Sequence, residues 1–185
     1  MKKTFTSVLP LLLISTPVLA HPGHDSHSFS SGLTHPVTGF DHLIMLVAFG
    51  ILIACLRTSV KRQIGLVASA LMSLVVGLAA GQVMGGFSAM ELAIGASLFV
   101  VSGAIWQAFH ASENVMRLAV TLCIGLIFFH GYAHGVEAQG VVSAFAAGMV
   151  VSASALILLG MQFGRAMFSP WLAAGVVGVS ALVLI

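Results

Sequence analysis

Six apolar runs fill most of this chain, separated only by short polar breaks such as RTSVKR and HASENVMR. They fall at about 40–56, 63–84, 90–109, 117–136, 140–163 and 168–185. A helix rises ~1.5 Å per residue, so about 20 residues cross the ~30 Å hydrocarbon layer of a bilayer. Soluble domains carry roughly 25% charged residues. Here 6% are charged and 59% hydrophobic, too few charges to cover a water-facing surface. The expected fold class is an all-α membrane protein, a six-transmembrane-helix bundle in one domain with the lipid bilayer as its main partner. The formal charge of +2, with no basic tract and no phosphate-binding loop, excludes nucleic acid as an expected partner.

Residues 1–20, MKKTFTSVLPLLLISTPVLA, have the layout of a signal peptide. Lys2 and Lys3 precede an apolar stretch that is short for a span and interrupted by Pro10, and small residues follow Pro17 up to Ala20. Cleavage there gives a mature chain that begins at His21 outside the cytoplasm. The expected divisions are a signal peptide (1–20), a periplasmic His-rich segment (21–38) and a six-helix transmembrane domain (39–185). With that start, Arg57, Lys61, Arg62, Arg117 and Arg165 all fall on the cytoplasmic side, as the positive-inside rule requires. The expected location is the bacterial inner membrane, multi-pass, with the mature amino terminus in the periplasm. Asp25, Asp41, Glu91 and Glu137 fall outside or at outer helix ends, which makes the outer face acidic and attractive to cations.

Cys55 and Cys123 lie inside apolar runs and read as small core residues. Glycine recurs at small-xxx-small spacing, as in Gly77 with Gly81 and Gly160 with Gly164. Such positions let helices pack closely, within one bundle or across a homo-oligomer face.

The polar residues inside the apolar runs carry the chemistry. In FFHGYAHGVE, His130, His134 and Glu137 stand at i, i+4 and i+7, within about 60° of one another on a helix. Two imidazoles one turn apart can hold one metal ion. Gly131 and Gly135 keep the adjacent backbone thin. In HPVTGFDH, Pro36 and Gly39 are expected to keep the chain out of helix, with Thr38 and Asp41 as a helix-start pair. Asp41 and His42 then occupy the first turn, and His35 folds back over them from an irregular segment. Span one begins outside and span four ends outside, so both clusters share one depth, with Glu91 at the outer start of span three. Ionisable groups at membrane depth cost ~2.5–3.5 kcal/mol each and are usually functional.

The expected metal ligands are His35, Asp41, His42, His130, His134 and Glu137, with Glu91 as a further candidate. In the leading HPGHDSH, His21, His24 and His27 read either as a metal scavenger or as a plain polar tail. His110 reads as an interfacial histidine. Imidazole with carboxylate suits Ni(II), Co(II), Zn(II) or Cu(II), and ligand type alone does not choose among them. A ligand imidazole must be neutral, so metal uptake is expected to fall below about pH 6.5.

HPVTGFDHLIMLVAFG and FHGYAHGVE resemble the two signatures of the HupE/UreJ family of nickel permeases, and MELAIGASLFVVSG resembles its third span. The likeness covers essentially the whole mature chain. It implies nickel, or cobalt in some members, carried for hydrogenase or urease maturation, with cytoplasmic metallochaperones as candidate recipients. It carries the family's site onto His35, Asp41 and His42 and onto His130, His134 and Glu137. One departure is Leu46, where the family often has methionine; here Met45 stands one residue earlier. The metal is cargo, and no cofactor and no enzymatic activity are expected. A membrane metalloenzyme and a metal-binding sensor or accessory subunit are the rival readings. No H-E-x-x-H motif is present, and no Walker motif that would hydrolyse ATP.

Overall fold

The computed structural model describes residues 28–137 and 142–184, and every regular element among them is helical. In chain order these are α1 (Phe29–Thr38), α2 (Phe40–Cys55), α3 (Val60–Met84), α4 (Met90–Gln107), α5 (Glu113–Glu137), α6 (Ser143–Met167) and α7 (Leu172–Leu184). Four helices, α3 to α6, are long and apolar enough to cross a membrane. The bent pair α1 and α2 passes the same test as a unit, with an angle of 79° between its halves. Helix α7 has 13 residues, about 20 Å of rise. All six apolar runs are therefore helical, but the first gives a 16-residue helix set at 79° to the helix before it, and the last is short. The proposed signal peptide and His21, His24 and His27 lie outside the described residues.

The segment before α2 corrects the sequence expectation. Rather than staying irregular, the chain is helical from Phe29 through Pro36 to Thr38. Proline inside a helix costs ~3 kcal/mol or more, and here tertiary packing offsets it. Pro36 is fully buried. Gly32 of α1 rests on the backbone of Phe145 in α6, and Gly148 of α6 rests on the backbone of Phe29 and Leu33. The expected Thr38–Asp41 cap is also absent. Thr38 ends α1, so its hydroxyl donates back to the carbonyls of Thr34 and His35, and α2 starts from Gly39 with no side-chain cap.

Glycine decides which helices touch. Helices α3 and α5 run parallel and interlock reciprocally. A Cβ on Gly77 or Gly81 would strike the carbonyl of Phe128 or Tyr132, and one on Gly131 or Gly135 that of Leu74 or Leu78. Helices α2 and α6 do the same through Gly50, Gly160 and Gly164. The small-xxx-small pairs thus serve packing within the chain.

The element order sends the basic residues to one end of the bundle. There Glu113 pairs with Arg117 at 2.8 Å and Arg62 at 3.9 Å, Arg165 donates to Gln63 at 2.9 Å, and Arg57 lies 4.0 Å over the Phe168 ring. The opposite end holds the start of α2 and the end of α5. Between them the helices step inward through fully buried apolar side chains: Met45, Phe49 and Leu52 on α2, Leu98, Val101 and Ile105 on α4, Ile127 and Cys123 on α5.

Candidate metal centre

The 79° break makes the centre. It stops α2 short of the full bundle height, so that its first turn, carrying Asp41 and His42, opens inside the bundle. Gly39 sits at the break, and a Cβ there would lie 3.1 Å from His42 Nδ1 and 3.3 Å from Asp41 Oδ1. A side chain at that position would crowd both. The carboxyl end of α1 faces the same point, and its partial negative charge favours a cation.

On α5 the glycine face lies against α3 and leaves the histidine face directed at α2 and α4. Tyr132 fixes that rotation: its hydroxyl donates to the Gly85 carbonyl at 2.6 Å, just past the end of α3. His130 and His134 are then buried at 2% and 5% exposure, and His42 at 6%.

Two sets of three side chains have their ligand atoms within 4.8 Å of one another: His35, His42 and His134, and Asp41, His42 and His130. His42 belongs to both. Its Nδ1 lies 2.8 Å from Asp41 Oδ1. A carboxylate only accepts, so the Nδ1 of His42 carries the hydrogen and its Nε2 presents a lone pair. His134 donates its Nε2 hydrogen into that lone pair at 2.7 Å, and the His130 carbonyl lies 3.4 Å from the same His42 nitrogen. Nitrogens bound cis or tetrahedrally at about 2.0–2.1 Å from one ion stand about 2.9–3.4 Å apart. Opening the pair by under about 1 Å and removing the hydrogen they share therefore makes room for a metal between them. The Asp41–His42 contact is the carboxylate–histidine arrangement that orients a metal ligand. His35, half-buried, stacks edge-on to His134 at 4.2 Å and lies 5.7 Å from His42, ring centre to ring centre. Phe145 closes the side, 6.0 Å from His35 and 5.9 Å from His134.

Five of the six side chains expected to bind metal thus meet. Glu137, the last residue of α5, is exposed and joins neither set; Glu91, in the first turn of α4, is also exposed. His110 is exposed beside Trp106, at the other end of α4. Met45 is buried one turn below His42. Sequence reading overlooked Ser97 of α4, whose hydroxyl oxygen lies 2.8 Å from His130 Nε2. The only available signal was a serine within an apolar helix.

The family profile described as HupE / UreJ protein matches residues 9–184. The chain belongs to the HupE/UreJ family. It is 28% identical over 172 residues to Protein HupE of Rhizobium leguminosarum bv. viciae, a match spanning 87% of this chain and 85% of that relative. No solved structure matches it. In this HupE/UreJ member the two sequence signatures, 88 residues apart between His42 and His130, are one structural object: the first supplies the broken helix, the second the face it opens onto.

Proposed function

We propose that this chain is a secondary permease that imports a divalent first-row metal ion, nickel foremost and cobalt next, across the bacterial inner membrane for hydrogenase or urease maturation. The observation that carries the reading is the meeting of His35, Asp41, His42, His130 and His134, from three helices, within coordination reach at one end of an apolar bundle. Membership of the HupE/UreJ family, which is associated with nickel and cobalt uptake, supports the choice of metal. The bent pair α1–α2 serves as the first span and α7 as the sixth. The basic end lies in the cytoplasm, residues 1–20 are removed, and the histidine end faces the periplasm.

Each group then has a task. His35 is the half-exposed first contact. His42 and His134 replace water ligands, and Asp41 holds His42 in the ligand tautomer while its charge offsets part of the dication's. A dication moving inward through 100 mV gains ~4.6 kcal/mol, enough for roughly a thousandfold accumulation, so no ATP is needed. Binding stays weak enough for release.

Purified protein in vesicles tests this. Wild type is expected to take up nickel, with cobalt, zinc and copper as comparisons, while His130→Ala and Asp41→Ala lose uptake by at least about tenfold. Saturable binding without influx would replace the permease reading with that of an accessory metal binder.

A further inference from the structure

Ser97 is wholly buried on α4 and touches two groups. Its Oγ lies 2.6 Å from the carbonyl of Ile94 and 2.8 Å from His130 Nε2. A hydroxyl has one hydrogen. The Ile94 carbonyl only accepts, and two oxygens this close need a hydrogen between them. Ser97 therefore donates to Ile94, and its oxygen must accept from the ring. That leaves His130 one neutral form: hydrogen on Nε2, lone pair on Nδ1. Nδ1 is buried and without a hydrogen-bond partner among the described residues. A buried imidazole nitrogen left bare is unusual, and this one belongs to a side chain grouped with Asp41 and His42 at ligand spacing.

We propose that Ser97 is a positioning residue that locks His130 into the Nε2–H tautomer and so keeps its Nδ1 lone pair free to bind the transported metal. The proposal rests on the permease reading for what the lone pair binds, but the tautomer itself does not depend on a metal. It also explains a contrast between two neighbouring rings whose centres are 4.7 Å apart. Asp41 fixes His42 with hydrogen on Nδ1 and the lone pair on Nε2, where His134 Nε2 stands at 2.7 Å. Ser97 fixes His130 the other way round. Two ligands on different helices thus offer different ring atoms, each set by a neighbour that need not touch the metal.

The test uses the full chain in detergent, metal-free, with 15N-labelled histidine. Two-bond correlations between ring nitrogens and ring hydrogens identify each tautomer, and the signal lost in His130→Ala assigns His130. Wild type is expected to show His130 as Nε2–H. Ser97→Ala is expected to mix the tautomers and weaken nickel binding by about 10–100-fold, and Ser97→Thr, which keeps a hydroxyl, to restore both. His130 as Nδ1–H in wild type, or unchanged nickel affinity in Ser97→Ala, overturns the proposal. If Ser97→Ala does not fold, the wild-type tautomer decides alone. A wild type that binds no nickel yet shows the Ser97-dependent tautomer supports the positioning and overturns only the permease reading.

Discussion

The two ends of the bundle handle polar groups in opposite ways. At the basic end Arg62, Glu113 and Arg117 form ion pairs that are half to two-thirds exposed. Water screens them, and such pairs contribute little to stability. At the histidine end three imidazoles are buried and a carboxylate is largely covered. Nothing in apolar packing calls for them, and each displaces a side chain that would pack more favourably. On the permease reading proposed above, the difference separates charge that orients a protein in a membrane from polarity that acts on a ligand. The first is spread over four helix ends and tolerates loss. The second is concentrated on one shared ring.

His42→Ala should break this contrast most sharply. His42 belongs to both ligand sets, so nickel binding by titration calorimetry should fall more than about 100-fold while helix content stays constant. Binding that persists within a few-fold would mean that the buried end is structural after all. Lowering the pH is a milder probe. Protons compete with the metal for the imidazole lone pairs, so uptake is expected to fall as the pH is lowered from about 7.5. The sign follows from competition: protons occupy the lone pairs the metal needs. Uptake that rises on acidification would count against the histidines as ligands. The smallest effect is expected from Glu113→Gln at the exposed end, with metal uptake and the thermal unfolding midpoint both matching wild type. A clear loss of uptake there would erase the distinction between the ends.

Much of this was legible in the sequence because its causes are local. Apolar runs of span length became helices, and the i, i+4 spacing of His130 and His134 put both rings on one buried face. Counting spans was enough to bring the start of α2 and the end of α5 to the same side. The misreadings share one cause, tertiary contact overriding a local rule. Pro36 looked like a helix stop, but its helix is held by the glycine contacts with α6 that surround it. Thr38 looked like a cap for the next helix, yet it closes its own. Glu137 is a different case: it keeps the expected spacing from His130 and stands exposed at the end of α5, outside both ligand sets. Ser97 gave only the weak signal of a hydroxyl in an apolar helix, because its partner lies 33 positions away on a different helix.

The apolar side chains beneath His130 form a sealed layer down to the basic end. In this conformation a hydrated ion has no way through, and a bare one would meet hydrocarbon on every side. On the permease reading, each ion delivered therefore requires the helices to part and close again. Flux should be counted in turnovers rather than in current, saturating with substrate and falling steeply on cooling, as in a carrier rather than a channel.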